Sequence, residues 1–164
     1  MLAGLTEPSA GQVLLNRVPW CELDSKRRKS LAYVGHQNAL KDGLTLGEAL
    51  SFLASLQGLD SPRDRARHAL DRLSLGRHWR TPVRHLSQGM RRRGALARLA
   101  LDDAPRVWLL DEPLDALDDA SVAGFAELVD HKLGQGSAVL LTSHQSIPWT
   151  NCPQLHLGGE GRRP

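Results

Sequence analysis

The segment Val107-Trp108-Leu109-Leu110-Asp111-Glu112-Pro113 limits what this chain can fold into more than any other. Four consecutive apolar residues make a strand buried on both faces, the kind found in parallel sheets. Two acids then follow at its carboxyl end, where parallel α/β sheets bind their ligands. A carboxylate there can hold Mg²⁺ through water, and a second can orient or deprotonate an attacking water. Asp111 and Glu112 are the candidates for these two roles. Alone, the run is equally consistent with a plain strand end whose acids are solvated.

The rest of the chain supplies the layers such a strand needs. Gln12 to Leu15 reads as a short strand after the turn-like Pro8-Ser9-Ala10-Gly11, and Leu31 to Val34 as a second apolar strand. From Thr45 the pattern changes to helical spacing. Leu46, Ala49, Leu50, Leu53, Ala54 and Leu56 form one face, with Thr45 as cap and Glu48 three residues later. Ser61, Pro62 and Asp64 open a second helix with Ala66, Ala69, Leu70 and Leu73 on one side. Thr45 to about His85 thus reads as a helical insertion. A third helix is expected over about Gln88–Leu101, a buried strand over Arg106–Asp111 and a helix over about Asp119–Leu133. A strand follows at Ser137–Thr142, and a last one near Gln154–Leu157. Strands alternating with helices imply an α/β layer with a parallel sheet. At 164 residues, 41% hydrophobic and 24% charged, the chain has material for one globular domain. The tail Gly158–Pro164 is expected to fray.

Three further segments carry chemistry. Leu86-Ser87-Gln88-Gly89-Met90 precedes a basic helix, and a Ser and a Gly at a helix start leave N–H groups and a hydroxyl to face an anion. The plain alternative is an ordinary cap. Leu140-Leu141-Thr142-Ser143-His144-Gln145 puts a His just past a strand, where it can reach a phosphate oxygen or a water, although a lone His is more often structural. Tyr33-Val34-Gly35-His36-Gln37 ends a strand in an amide that can touch Mg²⁺ or water.

In this order and spacing, these features resemble the ABC transporter ATPase family. Gln37 matches the Q-loop, Leu86 to Met90 the signature, and Val107 to Glu112 the Walker B strand. Asp115-Ala116-Leu117-Asp118 matches the D-loop and His144 the switch histidine. The resemblance implies an α/β, P-loop NTPase-like parallel sheet with a helical insertion. It takes the chain as one partial nucleotide-binding domain over residues 1–164, with a helical subdomain at about 45–100. It also implies ATP and Mg²⁺ as cofactors. In the intact family two such subunits face each other head to tail, and each ATP lies between the P-loop of one and the signature of the other. On that pattern Ser87, Gln88 and Gly89 form the nucleotide-facing signature, with Ser87 and Gly89 on the γ-phosphate held by the partner. Asp111 supports Mg²⁺, and Gln37 links the metal to the helical region. Glu112 is base or water positioner, His144 steadies the γ-phosphate, and Asp118 connects the two sites. The implied partners are membrane-spanning transporter subunits and a second ATP-binding subunit.

A narrower resemblance is to the haem exporter ATP-binding subunits of the cytochrome c maturation system. Tyr33 to Gln37 carries it, followed by Lys41-Asp42-Gly43-Leu44-Thr45. Arg92-Arg93-Gly94-Ala95-Leu96-Ala97-Arg98-Leu99 and Leu141 to Gln145 carry it too. It implies a peripheral place on the cytoplasmic face of a bacterial inner membrane.

The sequence departs from the pattern in three places. No GxxxxGK[ST] occurs, so the chain is expected to begin just after that loop, with Met1-Leu2-Ala3-Gly4-Leu5 as the end of the helix that follows it. Met90 stands where Gln is common and lacks its amide. Gly94 lies inside the signature helix, at a cost of about 1 kcal/mol relative to Ala. Two other readings therefore stay open: a non-catalytic interaction module that offers its signature to a complete partner, and an ATPase subunit serving another cargo. A DNA-repair ATPase of the same superfamily is disfavoured, because the long coiled-coil insertion is missing. The arginines from Arg63 to Arg93 read as a solvated helix face, so nucleic acid is not an expected partner. Cys21 and Cys152 form no CxxC pair, which suggests a reducing compartment. The histidine spacings give no haem-ligand pattern. No run approaches the ~18 apolar residues of a membrane span.

Overall fold

The computed structural model describes residues 3–4, 6–24, 30–102, 107–150 and 152–154. The expected end of a helix at residues 1–5 is a turn and a bend at Ala3 and Gly4, and the other three residues lie outside the described set. The first strand is shorter than the sequence suggests. Leu14–Leu15 (β1) pairs antiparallel with Val18–Pro19 (β2). Asn16 and Arg17 join them at φ 52° and 66°. Two left-handed residues give the tight turn whose twist matches its flanking strands.

Leu31–Val34 (β3), Val107–Leu110 (β4) and Ala138–Leu141 (β5) form a parallel sheet in the order β3-β4-β5. The register is level at the carboxyl end, since Val34 pairs with Leu110 and Leu110 with Leu141. The central β4 is the most buried, as its unbroken apolar run requires. A last strand expected near Gln154–Leu157 falls mostly outside the described residues, and so does the tail at 158–164.

The helices follow their local signals. Leu46–Leu56 (α1) starts on a complete capping box, with Thr45 N donating to Glu48 Oε2 at 2.8 Å and Glu48 N donating to Thr45 Oγ1 at 3.3 Å. Its buried face is Leu46, Gly47, Ala49, Leu50 and Ala54, whereas Leu56 is 67% exposed. Pro62–Arg72 (α2) begins with Pro in its first turn, and Ser61 sits at φ 51° with no side-chain capping bond. Gln88–Ala97 (α3) is capped by the Ser87 hydroxyl, which accepts from Met90 N. The helix expected to reach Leu101 tightens into a 3₁₀ turn at Arg98–Ala100. Asp119–Gly134 (α4) is capped by Asp118, whose Oδ1 accepts from Ser121 N at 2.9 Å. One hydrophobic cluster joins the α1 and α2 faces to the sheet through Leu96, Leu99, Trp108, Leu110, Phe125 and Leu128.

Gly94 has a packing reason. A Cβ there would lie 2.9 Å from Leu46 Cδ1, and Leu46 is fully buried. The helix propensity lost at this position allows α3 to sit close against α1.

β5 is covered on one side only. Ala138 and Leu140 are exposed, alternating with partly buried Val139 and Leu141. An apolar furrow of about 1190 Å³ runs beside it, lined by Val129, Leu133, Leu140, Ile147 and Trp149 among others. Trp149 is tied to α4 by its ring N–H, which donates to Asp130 Oδ1 at 2.9 Å.

Two helix caps make stability depend on acid. Bonds from Thr45 hold the Glu48 carboxyl below its usual value, and bonds from Ser121 do the same for Asp118. A carboxyl depressed by folding contributes stability above its unfolded value and loses it as pH falls through that range. The urea midpoint is therefore expected to drop as pH falls from 6 to 3. Replacing both Asp118→Asn and Glu48→Gln should flatten that slope. An unchanged slope would assign the acid sensitivity to other groups.

Candidate functional site

The level register decides where the chemistry sits. Because β3, β4 and β5 end side by side, residues 35–37, 111–112 and 142–145 leave the sheet at one edge. The main chain continues the ladder there, with Asp111 N donating to Val34 O at 2.8 Å and Thr142 N to Leu110 O at 3.0 Å.

Four expected and unexpected residues meet at this edge. Glu112 is 14% exposed, and its carboxylate faces His144 through both oxygens. His144 N donates to Glu112 Oε2 at 3.0 Å, and His144 Nε2 lies 3.2 Å from Glu112 Oε1. Thr142 is the joint between the acids. Its hydroxyl accepts from Glu112 N at 3.0 Å and donates to Asp111 Oδ1 at 2.9 Å. Glu112 itself is at φ 48°, a left-handed backbone rare for a non-glycine residue. Such strain, of order 1 kcal/mol or more, persists only where the surroundings impose it. Asp115 links the neighbouring loops, 3.8 Å from His36 Nδ1 and accepting from Gln145 Nε2 at 3.4 Å.

The signature residues lie against the following loop rather than at the sheet edge. Ser87 and Gln88 are exposed, and Gly89 rests on the carbonyl of Ala116. A Cβ on Gly89 would lie 2.6 Å from that oxygen, and Ala116 is itself left-handed at φ 61°. Backbone cannot swing aside as a side chain can. Gly89→Ala is therefore expected to cost about 1–3 kcal/mol in urea unfolding. Gly124→Ala is the control, because nothing lies within 4 Å of its added Cβ. It sits inside α4 and should gain up to about 1 kcal/mol. Equal effects at both positions would mean that the Ala116 contact is not tight.

Between the two groups lies Arg92, one turn into α3 and 3% exposed. Its Nη2 donates to Asp111 O at 2.6 Å and Glu112 O at 2.7 Å. Its Nη1 donates to Gly35 O at 2.9 Å, with longer bonds to His36 O at 3.4 Å and Asn38 Oδ1 at 3.3 Å. Nε donates to Pro113 O at 3.3 Å. Burial pulls the Arg92 guanidinium below its ordinary value, against the opposing pull of Asp115, Asp111 and Glu112. Arg98 reinforces the same corner by donating to Asn38 O at 2.7 Å.

The sequence pattern of the family described as "ABC transporter" matches residues 1–115. The chain belongs to the ABC transporter family. It is 41% identical over all 164 residues to the cytochrome c biogenesis ATP-binding export protein CcmA of Cupriavidus pinatubonensis, and spans 72% of that protein. It is 40% identical over 147 residues to the CcmA of Albidiferax ferrireducens, 90% of this chain and 70% of that one. Among solved structures it is similar to an ATP-binding subunit of an ABC transporter, with a TM-score of 0.74 at 26% identity, over 87% of this chain and 60% of the other. The ATP-binding cassette MJ0796, solved as a dimer bound to ADP and Pi, gives the same TM-score and identity over 87% of this chain and 66% of its own. The fold is that of the ABC ATPase cassettes.

The donor set fits Mg²⁺ held jointly with phosphate. Among the described residues no group of three or more His, Cys, Asp or Glu side chains is placed to hold a metal. Mg²⁺ usually takes one or two carboxylates and completes its shell with water and phosphate. Asp111 suits this as a single carboxylate at the strand end, with Thr142 donating to its Oδ1. A triphosphate cradle is a different matter. No GxxxxGK[ST] occurs in the 164 residues of this sequence. The structure leaves Gln37 exposed beyond the end of β3, outside the hydrogen bonds of the Glu112–His144 group. Sequence reading missed Thr142 as a joint and Arg92 as a buried anchor. A Thr directly after a strand that ends level with an Asp-Glu pair was the available signal for the first.

Proposed function

We propose that this chain is an ATP-binding subunit of a haem exporter serving cytochrome c biogenesis. In this reading it pairs with a second ATP-binding subunit. Together they drive membrane-spanning subunits from the cytoplasmic face of a bacterial inner membrane. The observation that carries the ATPase part is the Glu112–His144 pair beside Asp111 on one sheet edge. The cargo assignment rests on the cytochrome c biogenesis proteins to which the chain is similar. No described helix is long and apolar enough to cross a membrane, and in this reading membrane-spanning partners supply the membrane path.

Each residue has a task in this reading. Glu112 takes a proton from, or orients, the attacking water. His144, held by Glu112, presents its ring to the γ-phosphate. Asp111 holds the metal, which when bound would neutralise charge developing on the phosphate oxygens. Gln37 links that metal to the helical region. Ser87, Gln88 and Gly89 offer the helix start of α3 to a nucleotide whose phosphates a loop of the paired subunit cradles. Asp118 lies between the two sites and also caps α4.

The second reading is a non-catalytic module that offers only its signature and its docking surface. What it would offer are Ser87 and Gln88, exposed at the start of α3. One reconstitution separates the two. A version of the chain supplied with a phosphate loop is assembled with the membrane-spanning subunits and a paired subunit, and ATP hydrolysis is measured. Loss of hydrolysis on Ser87→Arg, together with loss on Glu112→Gln, supports the catalytic reading. Loss on Ser87→Arg alone supports the module. Hydrolysis indifferent to both variants would sink both readings.

A further inference from the structure

A buried cation ordinarily needs a carboxylate. Arg92 has a different arrangement. All three of its side-chain nitrogens donate to oxygens, and every acceptor but Asn38 Oδ1 is a main-chain carbonyl. Those carbonyls belong to two strand ends, Gly35 and His36 after β3, and Asp111, Glu112 and Pro113 after β4. The donor reaches them from a third element, α3, whose first turn carries Ser87 and Gly89. Only a guanidinium offers five donors in a planar fork wide enough for this, whereas an ammonium offers three around one point.

The bonds to Asp111 and Glu112 matter most. Nη2 draws both successive carbonyls toward itself. Nη2 thus bonds the carbonyls on both sides of Glu112, whose backbone is left-handed at φ 48°. That conformation is what carries the Glu112 carboxylate to the His144 amide and ring.

We infer that Arg92 is a positioning residue. It holds Glu112 in its left-handed conformation from the signature helix, and so fixes the Glu112–His144 pair and ties its geometry to the start of α3. The consequence for turnover rests on the function proposed above, but the geometric part does not. Displacing the start of α3 moves the fork, and the fork moves the Glu112 main chain. Arg92 touches no reacting atom in this account.

The test uses the full 164-residue chain and measures amide hydrogen exchange residue by residue. Arg92→Lys keeps the charge and loses the fork, and Arg92→Met keeps the bulk and loses both. The His144 amide, bonded to Glu112 Oε2, is expected to exchange at least about tenfold faster in both variants. The amides of Leu50 and Ala54 in α1 should keep their protection. A merely structural role would lower protection everywhere in step with global stability. That result, or unchanged His144 protection in Arg92→Lys, overturns the inference. If Arg92→Met does not fold, Arg92→Lys alone decides. A second readout joins the result to function. In the reconstituted ATPase, Arg92→Lys should lower kcat while KM stays within about twofold. If the assembly hydrolyses no ATP at all, the proposed function fails, and the exchange result still decides the role of Arg92.

Discussion

Glu112→Gln is expected to lower ATP turnover by about 10²- to 10⁴-fold in a version of the chain supplied with a phosphate loop. The substitution keeps the size and shape of the side chain. Its amide oxygen can still accept from His144 N, so the loop should stay in place. What is lost is the ability to take a proton or to orient a water by charge. Nucleotide affinity should stay nearly unchanged, because the altered group acts on the water and not on the bound phosphates. The assembled pair should therefore accumulate with ATP trapped in it. Single-turnover chemistry with radiolabelled ATP separates this from slow binding. Turnover equal to the unaltered protein would remove Glu112 from the reaction.

Trp108→Ala is expected to cost about 3–5 kcal/mol, read from urea unfolding followed by circular dichroism. Trp108 is 1% exposed in the middle strand of the sheet and belongs to the cluster joining the sheet to the helices. Its removal leaves a cavity between elements fixed on several sides, and packed surroundings close such cavities only in part. Whole domains of this size are held by about 5–15 kcal/mol, so the variant stands near the limit of folding. Phe52→Ala is the matched control. Phe52 is 48% exposed on α1 and should cost within about 1 kcal/mol. Similar losses at both positions would mean that the sheet is not the centre of stability.

What was legible in the sequence was what neighbouring residues decide. Thr45 and Glu48 are three apart, and their reciprocal bonds formed as the spacing indicates. Leu31–Val34 and Val107–Leu110 are unbroken apolar runs and became the paired parallel strands. The motif order was enough to indicate the family. The misses lie where distant residues decide. Arg92 reads as one of three consecutive arginines on a basic helix, and only the fold brings carbonyls from residues 35, 36 and 111–113 around it. The Glu112–His144 contact spans 32 residues and depends on β4 and β5 ending level. Ser61 looks like a cap by its type, yet its left-handed backbone and missing capping bond follow from how the chain enters α2. Gly94 looks like a defect in a helix until Leu46 is seen against it.

The choice of carbonyls as the partners of Arg92 has a consequence for when the site keeps its shape. Carboxylates and imidazoles lose or gain charge as acidity changes, and exposed ion pairs fade as salt rises. Peptide oxygens do neither, and a guanidinium stays charged throughout. The Arg92 half of the frame under Glu112 therefore rests on main-chain acceptors that do not change charge with acidity, whereas the Thr142 half ends on the Asp111 carboxylate.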